Sequence, residues 1–248
     1  MLRSVARTKQ ARRGKHPSRG SGVSGNAASI LSREGLEHGA GPGVVVPTER
    51  EIRSALQELP EDLSWEWARP RLAPLFERPG SGSVNGDPRG HALTSLGIAV
   101  GFGIEVDPIF VAVTESMARR WEATVEQIRA AAFARLEAVS DALGPQHLQH
   151  AVQHGYLIRA LGEPGGWASS VILAGVTAIE RIFGPQDQVF TTPARNQLLS
   201  FDAQTPARAI GEITVGLEEL DPHPLLLDPF VLHDGLLTWE GLAEEAID

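Results

Sequence analysis

The chain has 248 residues, 42% of them hydrophobic and 21% charged, with a formal net charge of −9, a composition that builds an ordinary globular core. It contains no cysteine, which excludes disulfide staples, thiolate catalysis and thiolate metal sites. The longest uncharged runs, Ala92–Ile104 and Pro164–Ile179, fall short of the ~20 apolar residues that cross a bilayer, so no membrane contact is expected and the cytoplasm is the default location.

Charge is unevenly placed. Met1–Gly20 holds seven basic residues and no acid, leaving 15 Lys and Arg against 31 Asp and Glu beyond it, a net of −16. With the Gly, Ser and Ala that continue to Gly43, residues 1–43 lack the apolar side chains that offset ordering entropy and are expected to form a disordered basic tail. No apolar h-region follows Arg12-Arg13, so the pair is not read as an export signal. Basic side chains in such a tail release counterions from the phosphates they neutralise, which makes the tail the only route to nucleic acid. Two features weigh against that partner: the acidic body repels a polyanion, and no aromatic residue interleaves the tail to stack on bases.

Residues 44–248 read as an α+β domain, with two lobes (44–145 and 146–248) as the finer expectation. Thr48 and Glu51 form a capping box that opens a helix with Ile52, Ala55, Leu56 and Leu59 on one face, ended by Pro60. A second helical segment is expected from Asp62 to about Phe76, kinked or broken by Pro70 and Pro74. Pro79–Gly90 is a loop. Alternation of Ile98, Val100, Phe102 and Ile104 predicts a strand within Ala92–Val106, Asp107-Pro108 a turn and Ile109–Val113 the antiparallel return strand. Thr114 caps a short helix, and Thr124 with Gln127 launches a long one that stops at Gly144-Pro145.

Further along, Tyr156–Ala160 is a strand, and Ser169 or Ser170 caps a helix through Phe183. Gln188–Thr192 and Leu198–Phe201 are strands joined by Pro193-Ala194-Arg195-Asn196, and Thr205-Pro206 begins a helix carrying Ile210, Ile213 and Leu217. Phe230–His233 and Leu236–Trp239 flank Asp234-Gly235, a strong hairpin signal, before an acidic helical stub. The fold class is α+β, with mixed, mainly antiparallel sheets covered by amphipathic helices.

The run Leu96–Asp107, followed by Ile109–Glu115 and Met117–Trp121, resembles the YtpQ-like bacterial family, a domain without known function. Ser64–Leu75 is similar to that family's early amphipathic segment, Trp167–Leu173 to its helix after a Gly-rich turn, and Val189–Leu199, with Arg195-Asn196, to its late hairpin. There an acid commonly follows the Arg, where this chain has Asn196. The resemblance spans roughly residues 60–240 and implies a fold and no activity, so no catalytic residue is carried over.

Candidate chemistry is sparse. His147, His150 and His154 would share one face of a helix and suit an open zinc site, but Leu148, His150, Val152 and His154 alternate equally well as a strand, and no HExxH pattern supplies a base. Asp221, His223, Asp228, His233 and Asp234 gather carboxylates and imidazoles, and the three Asp each directly precede Pro or Gly, which is ordinary turn chemistry. Gly101-Phe102-Gly103 opens no helix, and Ser169-Ser170 lacks a nucleophile elbow. Arg195, with Asn196, is the favoured binding contact, since an Arg on a tight tip presents a planar fork to a carboxylate or phosphate. Trp65, Trp67, Trp121 and Trp167 are expected to pack between layers. These residues together point to a non-enzymatic interaction or accessory module with a protein partner, no cofactor and no catalytic residue. The alternatives are a metal-assisted hydrolase using His147/His150/His154 or His223/His233, and a nucleic-acid accessory acting through the tail.

Overall fold

A computed structural model of the chain describes residues 48–76, 92–93, 99–107, 109–162, 166–221, 224–225 and 228–238. The basic tail, the Pro79–Gly90 loop, His223, Trp239 and the acidic stub lie outside them. Helices begin where the sequence supplies caps. The Thr48 hydroxyl accepts the Glu51 N–H while Glu51 takes back the Thr48 N–H, opening α1 (Glu49–Glu58). Ser64 caps α2 (Trp65–Ala68) through the Trp67 N–H, and Thr114 caps α3 (Glu115–Arg120) through that of Met117. Thr124 and Gln127 form a second capping box at α4 (Val125–Ala142). Each cap contributes about 1 kcal/mol, and α4 turns Ile128, Ala132, Leu136 and Ser140 inward at helical spacing.

The expected helix to Phe76 is corrected. After α2, Arg69–Arg71 make a 3-10 turn and Leu72–Phe76 become strand β1. A helix through Pro74 would lose a hydrogen bond and clash with the preceding turn, whereas an edge strand tolerates a residue without N–H. β1 is such an edge among the described strands. It runs antiparallel along one flank of β3 (Ala99–Val106), while β2 (Ala92–Leu93) and β4 (Ile109–Ala112) share the other flank. Gly103 sits where the three strands meet: a Cβ there would run into Leu75 Cδ1 and Phe110 Cδ1.

A second antiparallel sheet holds β5 (Leu148–Gln153), β6 (Tyr156–Leu161), β7 (Gln188–Thr191), β8 (Leu198–Asp202), β9 (Phe230–His233) and β10 (Leu236–Thr238) in the order β10-β9-β7-β8-β6-β5. Both β9–β10 and β5–β6 turn through two residues with positive φ, Asp234-Gly235 (49° and 70°) and His154-Gly155 (52° and 82°), the backbone of a type I′ hairpin. The expected cap at Ser169 or Ser170 is also corrected. Ala168–Ala174 form a 3-10 helix, Gly175 breaks it at φ 90°, and only then does α5 (Val176–Phe183) begin. Both serines are fully buried, and the Ser169 hydroxyl donates to the Arg195 carbonyl at 2.8 Å instead of capping. Helix α6 (Ala207–Glu218) starts just after Pro206, which takes the cap position.

Side-chain alternation sorts the second sheet into two faces. Ala151, Ile158, Ala160, Val189, Leu199 and Phe201 meet Ile210, Ile213 and Leu217 of α6, each of those three helical side chains stabilising the contact by roughly 1.5–3 kcal/mol. The opposite face, with Leu161, Phe190, Leu198, Phe230 and Leu232, joins Leu72, Phe76, Val100, Phe102 and Ile104 of the first sheet in one continuous core. The Phe76 and Phe230 rings lie 5.9 Å apart across it. Trp167 is wholly buried and Trp121 nearly so, with Trp65 and Trp67 packed against the core. The protein is α+β, built on two antiparallel sheets. Among the described residues no helix is long and apolar enough to cross a membrane.

Candidate functional site

The three histidines of the sequence reading are not carried on one helix. His147 closes a 3-10 turn and turns its Nδ1 onto Gly144, accepting that N–H at 3.1 Å; His150 is exposed on β5; His154 occupies the hairpin turn. Among the described residues, their ligand atoms do not converge into a group of three with other His, Asp or Glu.

Arg195 and Asn196 lie in the connection from β7 to β8, and both are half-buried. That connection is pinned at several points. The Ser169 N–H and hydroxyl both donate to the Arg195 carbonyl, at 3.0 and 2.8 Å, and the Leu225 N–H reaches the Pro193 carbonyl at 3.2 Å. Thr192, Pro193, Ala194 and Gln197 are buried around it. Arg195 has an interaction partner of its own, so it stands within a docked loop rather than on a solvated tip.

The one described group with converging ligand atoms is Asp187, His233 and Asp234, whose atoms lie within 4.8 Å of one another. Asp187 just precedes β7, and His233, the last residue of β9, and Asp234, in the β9–β10 turn, follow 46 and 47 residues later. His233 Nδ1 donates to Asp187 Oδ2 at 2.6 Å, the Asp234 N–H donates to Asp187 Oδ1 at 3.1 Å, and His233 Nε2 stands 3.5 Å from Asp234 Oδ2. The hydrogen bond to Asp187, its charge and that of Asp234 hold the His233 imidazole above its usual pKa. The Asp234 N–H, followed by the imidazole, holds Asp187 below the usual carboxylate range. Both oxygens of Asp187 are thus engaged in fastening a turn, and the side chains of His233 and Asp234 are 68% and 89% exposed. Fixed, exposed groups of this kind clasp a hairpin; they do not enclose a substrate.

A different kind of site runs along β5, the outermost strand of the six-stranded sheet. The two-residue turn makes Gln153 and Tyr156 the closing hydrogen-bonded pair, and such pairs alternate along an antiparallel ladder. Gln149, Ala151 and Gln153 therefore spend their N–H and C=O groups on β6, while those of Leu148, His150 and Val152 point away from the sheet. At its start the Leu148 N–H is taken by the Pro145 carbonyl of the preceding 3-10 turn, which leaves His150 and Val152 to form the edge. The side chains on the same face continue the pattern: Val152 and Leu157 stand opposite each other, 55% and 41% exposed. β5 contains no Lys, Arg, Asp, Glu, Pro or Gly, and its register with β6 is unbroken from Leu148 to Gln153. Edge strands are commonly guarded by charge, proline, bulges or shortness. β1 has Pro74 and is buried throughout, and β10 is three residues long beside Asp234. β5 has none of these guards.

No protein-family model, curated protein or solved structure matches this chain. Two features escape a reading of the sequence. Asp187 joins His233 only through the pairing of β7 with β9, which no local pattern announces. The open edge has a partial signal in the alternation of Leu148, His150 and Val152, and the His154-Gly155 turn completes it.

Proposed function

We propose that this chain is a non-enzymatic interaction module that receives a partner strand along β5. The observation that carries the reading is the unguarded edge: two residues, His150 and Val152, with outward N–H and C=O groups beside an exposed Val152–Leu157 pair. Added strands gain main-chain hydrogen bonds and take specificity from alternate side chains. The test has two parts. In dilute full-length chain the amides of His150 and Val152 exchange with deuterium much faster than that of Ala151, which is bonded to Ile158. Immobilised chain also retains a synthetic peptide of alternating valine and threonine, and Val152→Pro abolishes retention. Equal protection of these amides, or retention indifferent to the proline, rejects the reading.

The metal-assisted hydrolase keeps one observation in its favour, the convergence of Asp187, His233 and Asp234. Elemental analysis of purified protein separates the two: a stoichiometric transition metal that disappears in His233→Ala replaces the interaction reading. Kinship with the YtpQ-like family is likewise our proposal. Its support is that the segments carrying the resemblance coincide with β3, β4, α3 and the β7–β8 pair. A member of that family with a different strand order would remove it.

A further inference from the structure

We infer that the connection from β7 to β8, together with Ser170, is a binding site for a small neutral molecule that both donates and accepts hydrogen bonds, as a polyol or a primary amide does. It stands apart from the β5 edge and does not depend on that reading. The sheet interior shows how the fold treats its other buried polar side chains. The Thr214 hydroxyl donates to Thr191 at 3.1 Å, Ser200 donates to Gln188 Oε1 at 2.5 Å, and Gln188 Nε2 reaches the carbonyls of Gly184 and Gln186. One residue beyond Thr191 the pairing stops. The hydroxyls of Thr192 and Ser170 and the Oδ1 of Asn196 are buried, and no described residue bonds to them.

The fold places these three residues at one junction. Ser169 fastens its N–H and hydroxyl to the Arg195 carbonyl, so Ser170 and Asn196 each follow one member of a bonded pair. Thr192 stands three residues before Arg195, in a loop closed by the Gln197 N–H on the Ala194 carbonyl and tied by the Leu225 N–H to that of Pro193. Val171, Leu198 and Leu225, next to these residues or bonded to their loop, belong to the apolar core. A few polar groups in apolar surroundings are the usual build of a small-molecule site. Leaving a buried polar group without a partner costs about 1–3 kcal/mol, and three at one junction point to groups that the chain does not itself supply.

Their chemistry limits the occupant. Asn196 Oδ1 only accepts, so the occupant must donate, and a carboxylate would bring it nothing but acceptors. Arg195, in the same loop, repels an ammonium. The two hydroxyls donate as readily as they accept, which leaves a neutral molecule able to do both.

Saturation-transfer NMR on the dialysed full-length chain, with xylitol, propionamide and acetate as millimolar probes, tests the site. Xylitol or propionamide is expected to bind and acetate not, and the tighter of the two neutral probes separates hydroxyl from amide recognition. Thr192→Val and Asn196→Ala are each expected to weaken that binding about tenfold, the loss of one hydrogen bond. Thermal unfolding supplies a second readout. The Thr192 hydroxyl has no partner among the described residues, so Thr192→Val is expected to leave the melting temperature of the unoccupied chain unchanged or higher. A lower one overturns the inference, because it shows that hydroxyl already bonded, to ordered water or to the chain. Failure of both neutral probes, binding of acetate, or binding indifferent to both substitutions overturns it as well. None of these results touches the exchange of His150 and Val152, on which the edge reading stands or falls.

Discussion

Arg159 of β6 donates from one terminal nitrogen to Asp202 of β8 at 2.6 Å and from the other to the carbonyl of Phe183, the last residue of α5, at 3.2 Å. The arginine side chain is 11% exposed and the aspartate 58%, so the two partners bear unequal risk. Asp202→Ala strands a nearly buried guanidinium and is expected to cost about 1–3 kcal/mol. Arg159→Met keeps the volume and removes the charge. The Phe183 carbonyl retains Gln186 Nε2 at 3.1 Å, so this substitution is expected to cost less. Urea unfolding of the two variants checks the order, and the reverse order contradicts the account.

Arg135 of α4 ties together three separate pieces of chain. It pairs with Glu105 on β3, donates to the Arg71 carbonyl at 2.8 Å and stands 5.2 Å from the Trp167 ring centre. A planar fork serves these directions at once, and an ammonium cannot. Arg135→Ala is expected to destabilise by about 2–4 kcal/mol, with Arg135→Lys recovering less than half of it. Full recovery in the lysine variant, measured by denaturant titration, would show that charge alone is needed.

Gly103 faces Ala73 on β1 and Ala112 on β4. Gly103→Ala forces its methyl into Leu75 and Phe110 and is expected to cost about 1–3 kcal/mol. Combining it with Leu75→Ala opens room for that methyl, so the double variant is expected to be less destabilised than the two separate losses added. Additive losses in thermal unfolding would place the strain elsewhere.

The clasp between Asp187 and His233 has a defined pH window. His233 is raised, so its contribution is complete below the free imidazole value and lost as pH climbs through the folded one; Asp187 is lowered, so its contribution is lost as pH falls through its folded value. The hairpin is therefore held best in mildly acidic solution and loosens toward alkaline pH, where the neutral imidazole no longer brings a positive charge to Asp187. Proton NMR should find His233 titrating above a free histidine and returning toward it in Asp187→Asn. An unchanged midpoint in that variant rules the clasp out.

Locally encoded features are legible in the chain. The boxes at Thr48 and Thr124 and the Asp234-Gly235 turn depend on three or four neighbouring residues, and they form as expected. Around Leu72–Phe76 the two prolines suggest a damaged helix; only pairing with β3, about 25 residues on, makes the segment a strand. Ser169, after Trp167, looks like a cap until the Arg195 loop arrives to take its hydrogen bonds. The site is half visible for the same reason. Alternation marks β5 as a strand, but its outermost place depends on which strands settle beside β6 and leave its far side open.

The His154-Gly155 turn sets an order of events during synthesis. Its hairpin closes between neighbours, on a microsecond scale, whereas the inner flank of β6 must await β8, about 40 residues later. At roughly 5–20 residues per second that delay amounts to several seconds on the ribosome. Throughout it the newborn ribbon offers two unfilled sides, and neighbouring nascent chains on one messenger have their best opportunity to interlock wrongly before the permanent neighbour emerges.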